Sequence, residues 1–247
     1  MTPIFGWQQI PNSLISEMLA GVYDGVVLDM EHGTWSMEAA MSCIQVVTLS
    51  KKKCIARLHK RDLSCVSKLL DAGIDGIILS TVESPEEAKE FVNCALHHRQ
   101  GGLRGLGLVR QNSWGEEGLQ APFPMLVPQI ETIKGIRNLS AIVRDEFAYY
   151  LIGPYDLSAS LGQDGEFEHP QFIDAIDTFN TAIPPEQRAI HLPTDVLTHV
   201  NNYASFGMIC VGIDTVDLIR ASKENLHAAR RVFDIHTDQE ALAEGTQ

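Results

Sequence analysis

The segments MLAGVYDGVVLD at 18–29 and LLDAGIDGIILS at 69–80 repeat one another, and YASFGMICVGID at 203–214 is a looser third copy. Each reads as the end of a helix, a glycine suited to a left-handed helix stop, and then an apolar strand. A joint of this kind makes the chain a series of strand-helix units. Eight apolar runs carry the series: 4–7, 25–30, 54–58, 76–81, 125–130, 149–153, 189–192 and 208–213. Between them lie helical signals such as SPEEAKEFVNCAL at 84–96, where Ser84 suits the cap, Pro85 the first helical position and Glu87 a capping box.

Strands apolar on both faces belong to a parallel sheet covered by helices. Eight units in 247 residues favour a closed (β/α)8 TIM barrel of the α/β class. An open doubly wound sheet fits less well, because no glycine-rich phosphate-binding turn follows the first run. The expected organisation is one barrel domain over 1–233, with the acidic stretch 234–247 as a tail or peripheral helix.

The net charge of −13 argues against a nucleic-acid partner, which would require clustered Lys and Arg. The run Lys51-Lys52-Lys53 reads as a solvated turn before a strand. The start, MTPIFGWQQIPNS, is not a secretory leader, and no apolar run approaches the roughly 20 residues of a membrane span, so a soluble cytoplasmic protein is expected. Cysteines 43, 54, 65, 94 and 210 form no C-x-x-C pair and read as small core residues in a reducing compartment.

Barrel chemistry sits at the C-terminal ends of the strands. There the second run ends with Asp29, Glu31 and His32, the third carries Arg57, the fifth ends with Gln129 and Glu131, and the sixth with Asp156. The seventh offers His191, the eighth Asp214, and the fourth only Ser80 and Thr81. Residues two apart share a strand face, so Asp29 pairs with Glu31 and Gln129 with Glu131. Glu131 and Asp156, from neighbouring strands, would converge as oxygen ligands for a hard or intermediate divalent ion: Mg2+, Mn2+ or Co2+. Either carboxylate alone could equally cap the following helix. Of the lysines at 51, 52, 53, 60, 68, 89, 134 and 223, only Lys60 lies just beyond a strand, in the polar setting HKRD, which disfavours a Schiff-base mechanism. His169 and His191 read as turn or strand-end hydrogen-bonding residues, Trp7, Trp35 and Trp114 as packing residues, with lining of the mouth the alternative for Trp7 and Trp114, and Arg104 as a substrate-anion contact or a loop anchor.

Taken in order, LDMEHG, ARL, GLRGLG (102–107), VPQIET (127–132), IGPYDLSASLG (152–162) with HP at 169–170, and VGIDT (211–215) resemble the HpcH/HpaI family of metal-dependent class II pyruvate aldolases. The resemblance covers roughly residues 4–233. It implies a TIM barrel in which Glu131 and Asp156 hold the divalent ion and Gln129 positions substrate or water. The backbone of Gly153, Pro154, Tyr155 and Asp156 would receive the pyruvate carboxylate, Arg57 would bind the 2-oxo group, and His32, oriented by Asp29, would be the acid/base. The reaction implied is cleavage of a 4-hydroxy-2-oxo acid to pyruvate and an aldehyde by a homo-oligomer, a hexamer in relatives.

The chain departs from the family pattern in starting directly at strand one and in a shorter 112–124 segment, which in typical members helps shape the mouth and subunit contacts. It also lacks a Pro-Pro before Arg104 and carries Tyr155 where a smaller residue is common. A citrate-synthase- or lyase-like reaction at the same site, and a non-catalytic carboxylate-binding barrel, are the competing readings.

Overall fold

The computed structural model describes residues 1–116, 118, 120, 122–193 and 200–244, with backbone alone at 200, 201 and 234–244. Eight parallel strands close in sequence order, β1 Ile4–Gln8, β2 Gly25–Asp29, β3 Lys53–Leu58, β4 Gly76–Leu79, β5 Met125–Ile130, β6 Tyr150–Ile152, β7 Arg188–Leu192 and β8 Met208–Val211, and β8 pairs back to β1. The chain is therefore a (β/α)8 barrel, each strand falling on one of the eight apolar runs. The helices are α1 Ser13–Val22, α2 Met37–Leu49, α3 Val66–Asp71, α4 Pro85–Ala95, α5 Ile133–Ile142, α6 Pro154–Ser160, α7 Pro170–Ala182 and α8 Asp214–Glu244. The last of these runs on through 234–244, and 245–247 lie outside the described residues.

The period-two alternation of each strand divides its side chains between two cores. Phe5, Trp7, Val27, Ile55, Ile78, Val127, Leu151, Ala189, Met208 and Cys210 fill the barrel interior. Val26, Leu28, Cys54, Ala56, Ile77, Leu126 and Ile190 face the helices, where Ala40, Ile44, Leu69, Phe91 and Phe179 cover them. Being apolar on both faces is what makes these strands central in a parallel sheet.

Two local expectations are corrected. Only Gly73 of the three joint glycines takes the left-handed conformation, at φ +87. Gly21 lies inside α1, and Gly207 is required by close approach, since a Cβ there would clash with the Glu186 carbonyl oxygen. At α4, Ser84 accepts from the Glu87 amide as expected, but the Glu87 carboxylate returns to the Glu83 amide instead of Ser84, because Lys60 also draws on it.

The segment after α4 is fastened at the opposite end of the barrel from the strand C-termini. Arg104 is buried and bound to Asp71, the last residue of α3, and to Gln111, so it anchors the loop and contacts no site at the mouth.

Candidate active site

Continuing the inward-facing alternation past the apolar layer predicts which polar groups meet at the mouth, and the structure follows it. Above Trp7 comes Gln9; above Val27, Asp29; above Ile55, Arg57; above Ile78, Ser80; above Val127, Gln129 and then Glu131; above Ala189, His191. One polar layer therefore caps the apolar one at the C-terminal rim.

Asp29 and Arg57 are register partners on β2 and β3, and their side chains meet directly. Arg57 Nε donates to Asp29 Oδ1 at 2.8 Å and Nη2 to Oδ2 at 2.7 Å, a bidentate pair with Asp29 fully buried. Trp7 Nε1 and Gln9 Nε2 each donate to Asp29 Oδ2 at 3.1 Å. Burial alone would raise the Asp29 carboxyl, but Arg57 and these donors hold it down at about 2. Among the described residues, no acceptor engages Arg57 Nη1.

His32 lies three residues beyond β2, with its side chain exposed. Its backbone N–H reaches Asp29 Oδ1 at 3.4 Å, and the ring makes no hydrogen bond among the described residues. The expectation that Asp29 orients the His32 ring is thus replaced by a pairing of Asp29 with Arg57. A guanidinium on the adjacent strand at the same level outcompetes an imidazole on a loop. Glu31 sits between strands: its Oε1 accepts from Ser80 Oγ at 2.6 Å, and its Oε2 lies 3.4 Å from Arg57 Nε.

On the other side of Arg57, the buried Glu131 accepts from Thr81 Oγ1 at 2.6 Å and from the Gln129 amide. Burial first, then the charges of Asp156 and Glu31, push the Glu131 carboxyl up to about 7 against the opposing effects of Thr81 and Arg57. Asp156 stands exposed in the first turn of α6. Gly153 precedes that helix, and a Cβ there would meet Glu131 Cβ and Oε2 at 2.8 Å and Gln129 Nε2 at 3.0 Å. Pro154 occupies the first helical position, and Tyr155 follows, half exposed and edge-on to Phe167 at 5.1 Å.

Ser80, Thr81 and Gln9 are the functional neighbours the motifs did not single out. The inward alternation marks Ser80 and Gln9. Thr81 carries a backbone signal, φ +53, which is costly for a β-branched residue and turns its hydroxyl onto Glu131.

The donor set fits a hard divalent ion. It consists of carboxyl oxygens: the charge of Asp156 acts on Glu131, Glu131 and Glu31 act on Arg57, and among the described residues the buried Gln129 Oε1 has no protein partner. The described residues assemble no group of three His, Cys, Asp or Glu for a metal, so an ion here would take two carboxylates and complete its shell with water and substrate oxygens, as Mg2+ commonly does.

Lys60 donates to Glu83 at 2.9 Å and to Glu87 at 3.0 Å. Burial would lower its pKa, but the two carboxylates hold it above the usual lysine value and keep it an ammonium. His169 caps α7, accepting from the Gln171 amide. No helix among the described residues is long and apolar enough to cross a membrane.

A family model described as HpcH/HpaI aldolase/citrate lyase matches residues 9–221. A 4-hydroxy-2-oxo-heptane-1,7-dioate aldolase of Escherichia coli is 28% identical over 227 residues, covering 88% of this chain and 86% of the relative. Among solved structures, macrophomate synthase superposes with a TM-score of 0.81 at 26% identity, over 94% of this chain and 85% of the other. Citrate synthase SbnG does so with a TM-score of 0.80 at 22% identity, over 94% and 95%, a likeness of fold.

Proposed function

This chain belongs to the HpcH/HpaI aldolase/citrate lyase family and is a carbon–carbon lyase, and from that premise we propose that it cleaves a 4-hydroxy-2-oxo acid to pyruvate and an aldehyde with the help of a divalent ion. The observation that supports this reading is that Arg57, locked by Asp29, faces Glu131, on whose carboxyl the charge of Asp156 also acts.

Glu131 and Asp156 would hold Mg2+, Mn2+ or Co2+. The ion, when bound, supplies a Lewis acid for the 2-oxo group. Cleavage breaks the C3–C4 bond and moves its electron pair into the 2-oxo group, so positive charge beside that oxygen lowers the barrier. Arg57 offers Nη1 for this task. Asp29 fixes the guanidinium, so its orientation costs nothing further when charge develops. The first-turn amides of Tyr155 and Asp156, which have no intrahelical acceptors, suit the substrate carboxylate. Gly153 lets Gln129 and Glu131 approach that turn, and Gln129 Oε1 is left to accept from water or substrate.

The C4 hydroxyl proton must leave as the bond breaks. The exposed His32 is the acid/base in this reading, held over Asp29 by its backbone N–H, and an imidazole can both accept and donate a proton. Lys60, an ion-paired ammonium, is a poor imine former, which favours ion-assisted over covalent enolate formation.

The same reading makes the protein a cytoplasmic homo-oligomer, hexameric by resemblance to relatives. Leu218, Ile219 and Leu226 on α8 stand exposed in the single chain and offer apolar surface to a second copy. One barrel domain over 1–233 followed by a peripheral stretch is part of it too. The test is a panel of aldehydes with pyruvate assayed under Mg2+, Mn2+ and Co2+: carbon–carbon bond formation is expected, and none across the panel would favour a binding role.

A further inference from the structure

A cavity of about 510 Å³ opens at the mouth between α6, the start of α7 and the end of β7. Its apolar wall includes Tyr155, Phe167, Phe172, Ile173, Ile176 and Leu192, and Asn202 also lines it. Phe167 meets Tyr155 edge-on at 5.1 Å and Phe172 at 5.3 Å, so the aromatic wall is already assembled. The volume is in the range of small-molecule sites.

This cavity borders the reacting groups in two places. On one side, Pro154 and Tyr155 belong both to it and to the turn that precedes Asp156. On the other, His191 lines it while stacking on Trp7, ring centres 3.9 Å apart and 11° from parallel, and the Arg57 guanidinium lies 4.8 Å from the same Trp7 ring. The His191 Nε2–H donates to the Gly212 carbonyl at 2.8 Å. Burial pushes the imidazole down to about 4, so it presents a neutral face.

The charge content of the cavity is selective. Among its described lining residues the carboxylate of Glu168 stands with no Lys or Arg. A terminal carboxylate lodged here would lose water against Glu168 and gain no cation. An apolar group would exchange water for aromatic and aliphatic carbon.

Building on the aldolase reading, we infer that this cavity receives the aldehyde half of the substrate, and that this half ends in an uncharged apolar group, aryl or branched alkyl. The E. coli relative is named for a heptane-1,7-dioate, whose aldehyde half would end in a carboxylate. In cleavage the C4 hydroxyl gives up its proton and the C3–C4 electron pair passes to C3 and the 2-oxo group. C4 leaves as the aldehyde carbon within the cavity, and C3 takes a proton to give pyruvate.

The experiment titrates the Mg2+-loaded protein calorimetrically with 4-phenyl-2-oxobutanoate and with 2-oxoheptanedioate, neither of which has a C4 hydroxyl to permit cleavage. Their 4-hydroxy counterparts are compared by kcat/KM for pyruvate release. The phenyl compounds are expected to be favoured roughly tenfold or more in both measurements. Ile173→Arg, at a half-exposed position on the cavity wall, is expected to move the preference toward the dicarboxylate by roughly tenfold. Exchange of the pyruvate methyl protons for deuterium reports enolate formation with no aldehyde present. Exchange together with a preference for the dicarboxylate overturns the cavity assignment alone, as does an Ile173→Arg protein whose preference is unmoved. Absence of both exchange and cleavage overturns the aldolase reading, and the assignment with it.

Discussion

The Arg57 guanidinium holds both oxygens of Asp29, through Nε at 2.8 Å and Nη2 at 2.7 Å, inside the barrel mouth. A lysine cannot reproduce this fork. Arg57→Lys is therefore expected to lower kcat/KM for cleavage by roughly a hundredfold or more. Arg57→Ala leaves a buried carboxylate unpaired and should cost about 3–5 kcal/mol in urea unfolding, whereas Asp29→Asn with Arg57→Met should cost less than the single change. A double variant no more stable than Arg57→Ala would contradict the pairing.

Gly153 is the second constraint. Gly153→Ala would press a methyl group onto Glu131 and Gln129, so the altered barrel should fold with an unchanged circular dichroism spectrum yet bind Mn2+ at least about tenfold more weakly by calorimetry. Thr81→Val, which keeps shape but removes the donor to Glu131, should weaken Mn2+ binding in the same sense. Undiminished affinity in both would show that Glu131 does not hold the ion.

His32 separates from its neighbours in the same experiment. Its side chain is exposed and takes no part in the Asp29–Arg57 pair, so His32→Ala should leave Mn2+ affinity and stability within about 0.5 kcal/mol of the parent while removing most cleavage activity. Full activity in this variant would return His32 to a purely structural loop role.

Three groups link the stability of the fold to pH, with opposing signs. His191, pushed from 6.5 to about 4 by burial, contributes stability that is complete above pH 6.5 and is lost as pH falls through 4, about 3 kcal/mol in all. Asp29, held at about 2 from 3.8, contributes stability present above pH 3.8 and lost as pH falls through 2. Glu131, raised from 4.5 to about 7, works in the opposite sense, gaining stability as pH falls from 7 toward 4.5. The test is therefore the difference in unfolding free energy between the parent and His191→Gln, which should be constant above pH 6.5 and fall between pH 6.5 and 4. A difference that does not change between pH 7 and 4 would contradict the buried neutral imidazole.

The barrel was legible because each strand is apolar on both faces, a pattern that demands helices on one side and a packed interior on the other. The same alternation put Asp29 with Glu31 and Gln129 with Glu131 on shared strand faces at the mouth. What a single strand does not show is register: Asp29 stands opposite Arg57 across β2 and β3, and that adjacency took the carboxylate away from His32. Thr81 was named as a strand-end residue, but its contact with Glu131 depends on a left-handed backbone, which nothing in the residues LSTVE announces. Gly21 looked like a helix stop because its neighbours repeat those of Gly73, yet α1 runs one residue past it.

The central claim is that carbon–carbon cleavage here depends on a divalent ion held by Glu131 and Asp156, with no covalent intermediate on lysine. Pyruvate release from a 4-hydroxy-2-oxo acid, followed after chelator treatment and again after adding back Mg2+, Mn2+ or Co2+, tests it most directly. The account predicts that turnover disappears and returns with the ion, and that pyruvate with borohydride leaves the protein active. Turnover that persists in chelator and is destroyed by pyruvate with borohydride would contradict it.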